Sequence, residues 1–112
     1  MGENISAAEV EGVLRSHPKV VEAAVVPVPD PLRGEEVKAY LQLRPGDVFA
    51  PEDVIAFCRE NLAAFKIPRF IEFRHTDFER TPSMRVQKQA LLKEKTDLRQ
   101  GAWDRETGKV GE

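Results

Sequence analysis

Two histidines, His17 and His75, and one cysteine, Cys58, are the side chains here that could exchange a proton or attack as a nucleophile near neutral pH. None stands in a pattern that would make it do so. His17 precedes Pro18 at the end of a predicted helix and reads as a capping or solvated residue. His75 opens a polar stretch with no carboxylate–histidine–serine logic beside it, so it reads as exposed. Cys58 falls on an apolar stripe at helical spacing, where a buried, inert thiol is expected. The chain has no G-x-G-x-x-G, no P-loop and no G-x-S-x-G, so neither a phosphate cradle nor a serine nucleophile is written locally. No Cys/His cluster has zinc spacing, and no metal site is expected. Read from these residues alone, the chain carries no catalytic constellation of its own.

Charge is plentiful but balanced. The 112 residues hold 17 Lys+Arg against 19 Asp+Glu, a net charge of −2. A nucleic-acid surface needs clustered excess cation, so that partner is not expected. An apolar fraction of 41% suits one folded domain rather than a disordered chain. One cysteine excludes an internal disulfide, and a reducing, cytoplasmic setting is expected. The longest strongly apolar stretch, Ala23 to Val28, is far short of the ~20 residues a membrane span needs. Met1 to Ser6 has neither the basic nor the apolar region of a secretory signal.

The elements are legible from periodicity. Ser6-Ala7-Ala8-Glu9 is a capping box, with Ile5 and Val10 as its hydrophobic staple. Val10, Val13 and Leu14 continue as one helical stripe, which must stop near Ser16-His17 because Pro18 disfavours helix before it. Val20 to Val28 is almost continuously apolar and β-branched, as in a strand buried on both faces. After turn chemistry at Pro29-Asp30-Pro31 and Gly34, Val37, Ala39, Leu41 and Leu43 alternate with Lys38, Tyr40, Gln42 and Arg44. That predicts a strand with one buried and one wet face, antiparallel to its neighbour. Pro51 fits the first position of a second helix whose inward stripe is Val54, Ile55, Cys58 and Leu62. Arg69 to Arg74 reads as a third strand, and about Val86 to Leu98 as a last helix using Ala90, Leu91 and Leu92. Residues 99–112 read as a polar tail that docks weakly or frays around Trp103. The expected fold is α+β, a three-stranded sheet flanked by helices in the order α-β-β-α-β-α, with residues 1–98 as the domain.

Four stretches, in order, resemble the C-terminal domain of the AMP-forming acyl-CoA synthetases, the adenylate-forming superfamily. They are Gly2-Glu3-Asn4-Ile5-Ser6-Ala7-Ala8-Glu9 running on to Asp30, Gly34-Glu35-Glu36-Val37-Lys38-Ala39-Tyr40, Leu62-Ala63-Ala64-Phe65-Lys66-Ile67-Pro68-Arg69, and Arg80-Thr81-Pro82-Ser83-Met84-Arg85-Val86-Gln87-Lys88. The last is similar to the family's closing lysine motif, T-x-S-G-K-x-x-K. Its Thr81-Pro82-Ser83-Met84-Arg85 form, with Trp103-Asp104-Arg105-Glu106, looks like the crotonobetaine/carnitine–CoA ligase branch.

The resemblance implies a two-step ligase using ATP, with Mg, and CoA. A carboxylic acid is adenylated with loss of pyrophosphate, and the CoA thiol then displaces AMP. A larger N-terminal adenylation domain, not in this chain, would hold the nucleotide-gripping loops and the acid pocket. The domain here would be the mobile lid that completes the active site for both steps, and would be inactive alone.

The implied site residues follow the matching positions. Gly2, Glu3 and Asn4 correspond to the loop near the pantetheine channel, where a glycine permits close backbone approach. Phe65, Lys66 and Arg69 correspond to the region meeting CoA's nucleotide end; the alternative is a solvated basic edge with Phe65 in the core. Met84-Arg85 stands where Gly-Lys is usual. The family's lysine bridges the acid carboxylate and the nucleotide, so Arg85 is the expected bridging cation, with Lys88 as the other candidate. Two other readings stay open: the lid of an adenylating domain that loads a carrier protein, and a non-catalytic interaction module in which Met84-Arg85 marks decay.

Overall fold

The computed structural model describes residues 6–111. Three helices, α1 (Ala7–Arg15), α2 (Pro51–Asn61) and α3 (Lys88–Leu92), surround five strands: β1 (Glu22–Asp30), β2 (Gly34–Gln42), β3 (Phe70–Arg74), β4 (Trp103–Asp104) and β5 (Lys109–Val110). The strands form one sheet in the order β1-β2-β3-β4-β5. All neighbours are antiparallel except β2 and β3, which run parallel. A parallel pair cannot be joined by a tight turn, and the crossover here carries α2 and a 3₁₀ turn at Ala64–Lys66.

The helix α1 begins as its cap demands: the Ser6 hydroxyl accepts from the Glu9 amide at 3.2 Å. The Glu9 carboxylate does not close the box; it accepts from Lys66 Nζ at 2.7 Å. The expected staple residue Ile5 lies outside the described residues. Helix α2 starts with Pro51 at its first turn, and its stripe of Val54, Ile55 and Cys58 is buried.

Both faces of the sheet are covered, which accounts for the unbroken apolar run of β1. Ala23, Val25, Ala39, Leu41 and Ile71 face α1 and α2 together with Val10, Leu14, Val54, Ile55 and Cys58. Ala24, Val26, Val28, Tyr40 and Phe70 face the other way, against Phe78, Leu91 and Leu98. The expected wet face of β2 is therefore wrong: Lys38 and Tyr40 are fully buried and Gln42 nearly so. Lys38 Nζ donates to Glu72 Oε1 at 2.7 Å and to the Leu98 carbonyl at 2.6 Å, and sits 4.2 Å from the Tyr40 ring centroid. A buried ammonium needs such partners; burial lowers its pKa below the ordinary lysine value, against the opposing pull of Glu72.

The expected helix from about Val86 to Leu98 is only Lys88–Leu92; past it the Leu98 carbonyl accepts from Lys38 and the Gln100 carbonyl from Lys95. The three-stranded expectation fails at the chain's far end. Rather than a fraying tail, residues 99–111 supply β4 and β5, with Trp103 paired to Ile71 and only 9% exposed. The signal for this was Trp103 itself.

Candidate functional site

The motif 80–88 forms a tight hairpin. The Thr81 amide donates to the Arg85 carbonyl at 2.8 Å, the Met84 amide to the Thr81 carbonyl at 2.8 Å, and the Gln87 amide to the Glu79 carbonyl at 2.7 Å. Arg80 and Val86 form a β-bridge. Pro82 and Ser83 make the turn, and Met84 follows in the left-handed region at φ 69°. A turn closed by one left-handed residue is the three-residue hairpin with a bulge, a position that favours glycine. Met84 therefore keeps the backbone that glycine would give. The Thr81 hydroxyl accepts from the Arg85 amide at 3.2 Å and lies 3.0 Å from the Ser83 hydroxyl, which holds the turn from inside.

This hairpin walls a cleft of about 550 Å³ against α1 and the start of β1. Four cations line it, Arg15, Arg80, Arg85 and Lys88, against two carboxylates, Glu11 and Glu22. Three of the four cations are already paired. Arg15 and Arg80 both reach Glu22, Arg80 Nη2 at 3.1 Å. Burial raises the Glu22 carboxyl, but hydrogen bonds from Arg15, the Ala23 amide and Arg80 outweigh it and hold its pKa below the ordinary value. Lys88 Nζ sits 2.7 Å from Glu11 Oε2. Arg85 is exposed, and its guanidinium has no ion-pair or hydrogen-bond partner among the described residues.

The floor of the cleft is the open edge of β1, which pairs with β2 alone. Its edge groups are taken by side chains: the Val25 amide donates to Glu11 Oε2 at 2.8 Å, and Arg15 Nη2 donates to the Ala23 carbonyl at 3.2 Å. Glu11, Glu22, Arg15 and Arg80 were not singled out by sequence reasoning. Arg80 opens the motif itself, and Glu11 abuts the apolar stripe of α1, the only trace it leaves.

The second group of expected residues divides. Phe65 is 46% exposed, not in the core, with Lys66 Nζ 5.5 Å from its ring centroid. Arg69 is nearly enclosed. It makes a forked pair with Asp104 at 3.0 and 3.1 Å and a further bond to Asp30 at 3.0 Å, with Glu36 and Glu106 at 3.5 Å. Its charge is spent inside the domain. Gly2, Glu3 and Asn4 lie outside the described residues.

The remaining reactive side chains, Cys58, His17 and His75, lie away from this cleft's lining. Cys58 is buried, and burial pushes its thiol up to about 11. His17 is half-buried rather than solvated: its ring stacks 4.4 Å from Phe49 and meets Phe57 edge-on at 4.9 Å, while Nδ1 accepts from the Lys19 amide. His75 is exposed, with Nε2 2.8 Å from the Asp47 carbonyl. Among the described residues, no group of three or more metal-binding side chains is assembled, and no helix is long and apolar enough to cross a membrane.

Residues 9–85 match the model of the AMP-binding enzyme C-terminal domain. The chain is 44% identical over 73 residues to the crotonobetaine/carnitine–CoA ligase of Proteus mirabilis, covering 65% of this chain and 14% of that protein. It is 45% identical over 94 residues to the 3-[(3aS,4S,7aS)-7a-methyl-1,5-dioxo-octahydro-1H-inden-4-yl]propanoyl:CoA ligase of Rhodococcus jostii, covering 84% and 18%. Among solved structures it is similar to o-succinylbenzoate CoA synthetase from Bacillus subtilis in complex with an acyl-adenylate intermediate, with a TM-score of 0.75, 34% identity, and coverage of 86% and 19%. The chain thus spans less than a fifth of the length of these relatives.

Proposed function

Because the chain belongs to the AMP-binding enzyme C-terminal domain family, we propose that it is the mobile lid of an ATP-dependent, AMP-forming acid–CoA ligase, completing an active site whose larger part lies in an N-terminal adenylation domain. In the first step a carboxylate oxygen of the acid attacks the α-phosphate of ATP. The new O–P bond forms as the bond to pyrophosphate breaks, and pyrophosphate leaves. In the second, the CoA sulfur attacks the acyl carbon and AMP departs with the former carboxylate oxygen. Mg, which the family's chemistry implies with ATP, would be held in the intact enzyme with the nucleotide.

Two anions must meet in the first step, and this domain's contribution is the charge that offsets their repulsion. Arg85 carries that role. The observation behind it is the hairpin: Met84 holds the left-handed turn that glycine would hold, so Arg85 follows at the position of the motif's lysine, at a cationic cleft and with its guanidinium unpaired among the described residues. A guanidinium can place two N–H groups on two oxygens at once, which suits a bridge between a carboxylate and a phosphate. For the second step, the exposed Phe65 ring offers a stacking face for the nucleotide end of CoA, and Lys66 offers a cation that must exchange its 2.7 Å pairing with Glu9 for the ligand, with Gly2, Glu3 and Asn4 along the pantetheine arm. Arg69, spent on four carboxylates, serves this surface by holding its strand rather than by touching phosphate.

The test uses the intact chain that includes the adenylation domain. Arg85→Ala is expected to slow acid-dependent pyrophosphate release by about 100-fold, the usual scale for removing one preorganised charge-stabilising group. Thioester formation from supplied acyl-adenylate should change little. Unchanged pyrophosphate release in Arg85→Ala removes Arg85 from the role, and a parent chain with no acid-dependent pyrophosphate release removes the ligase reading.

A further inference from the structure

We infer that Glu11 is a positioning residue for the first half-reaction, acting through Lys88 to hold the 80–88 hairpin where Arg85 is presented; this rests on the ligase reading above. Glu11 is the one carboxylate on α1 that is buried, and a buried carboxylate must be hydrogen-bonded to be tolerated. One oxygen, Oε2, takes both the Val25 amide at 2.8 Å and the Lys88 ammonium at 2.7 Å, while Oε1 lies 3.8 Å from Arg15. Three elements therefore meet at a single side chain: helix α1, the open edge of β1, and the N-terminus of α3 directly after the hairpin.

The hairpin is closed by its own backbone bonds and by Arg80 Nη1 donating to the Met84 carbonyl at 3.0 Å. Val86 seats it on the core cluster of Phe78, Leu91 and Leu98, and two ion pairs tie its arms to α1 and β1. Its turn residues are exposed, and Arg80 ties one arm to Glu22 at 3.1 Å. Lys88 ties the other arm, three residues beyond Arg85. The Lys88 side chain is 38% exposed, and its charge is matched by Glu11. The pair thus assigns the two motif cations different work: Lys88 is the tether, and Arg85 is the cation left for substrate. A displacement of about 1 Å at a reacting group can cost up to 100-fold in rate, so a loosened tether should be read directly in the adenylation step.

The experiment is a cycle of Glu11→Gln, Lys88→Gln and the double variant in the intact chain, with Lys88→Arg as the conservative control. Glutamine at 11 keeps an acceptor for the Val25 amide, and Lys88→Gln changes only a partly exposed side chain should Glu11→Gln fail to fold. Each single variant is expected to slow pyrophosphate release at least 10-fold, the double no more than either, and Lys88→Arg to recover most of the rate. Thioester formation from supplied acyl-adenylate should stay within about 2-fold, which a general loss of folding would not allow. Losses that multiply in the double variant, equal losses in both half-reactions, or a Lys88→Gln loss tenfold beyond that of Glu11→Gln each overturn the inference; the last makes the ammonium itself the reacting cation. Full adenylation in every variant also overturns it while leaving the ligase reading standing, and a parent chain without adenylation overturns both.

Discussion

The departure at Met84-Arg85 is a change of side chains on a retained backbone. A left-handed residue with a Cβ is strained by roughly 1–2 kcal/mol, and Met84 bears that strain at φ 69° while 70% exposed, so it gains little packing in return. Met84→Gly relieves the strain but loosens the unfolded chain by about 0.4–1 kcal/mol. Relief outweighs loosening, so Met84→Gly should raise stability by about 0.5 kcal/mol, roughly 2–4 °C in Tm. Met84→Val should lower it, because a β-branched side chain tolerates that region worst. Thermal unfolding of the three proteins checks this, and equal melting temperatures would mean that the turn relaxes when substituted. At this scale the sequence exposed the motif and the odd residue in it. It did not expose Glu11, because nothing in a run of charged and apolar helix residues tells which carboxylate is turned inward until the strand beneath α1 supplies an amide to accept from.

Elements with strong local signals were readable: the Ser6 cap, Pro51 at the start of α2, and the apolar run of β1. Elements that depend on partners were not. The alternation along β2 is real, but Lys38 and Tyr40 are buried because a second layer, Phe78, Leu91 and Leu98, closes over that face. Strands β4 and β5, two residues each, have too little length to carry a period and exist by pairing with β3 and each other. If this C-terminal hairpin is integral, Trp103→Ala should cost about 3 kcal/mol, the scale for emptying a buried aromatic site. Val110→Ala on the exposed β5, 59% accessible, should stay within ~0.5 kcal/mol. Denaturant unfolding distinguishes the two, and a near-zero cost at Trp103 would return the segment to the fraying tail its composition implied.

Across the whole molecule, the pieces far apart in sequence are joined on one side by charge. Arg69 on the approach to β3 links Asp30 at the end of β1, Glu36 on β2, and Asp104 and Glu106 at β4, while Arg33 reaches Glu36 and Glu106. Burial raises the Asp104 carboxyl, but the Arg69 guanidinium and the Glu106 amide outweigh it and leave it below its ordinary 3.8. The amides of Leu32 and Arg33, helped by Arg69, hold Asp30 below 3.8 as well. A carboxylate with a depressed folded pKa is protonated first in the unfolded chain. Its stabilisation is thus complete above the unfolded value and is lost as pH falls through the folded one. Stability should accordingly be flat from pH 7 to about 5 and fall progressively below about 4. Arg69→Gln should lower Tm at pH 7 and, having released Asp104 while the Leu32 and Arg33 amides still hold Asp30, should lose less than the parent between pH 5 and 3. A constant offset between the two melting curves across that window would mean that Arg69 contributes packing alone. Convergence at low pH would mean that one guanidinium, through its carboxylates, ties β1 to β4 across the sheet beside the segment that carries Phe65 and Lys66.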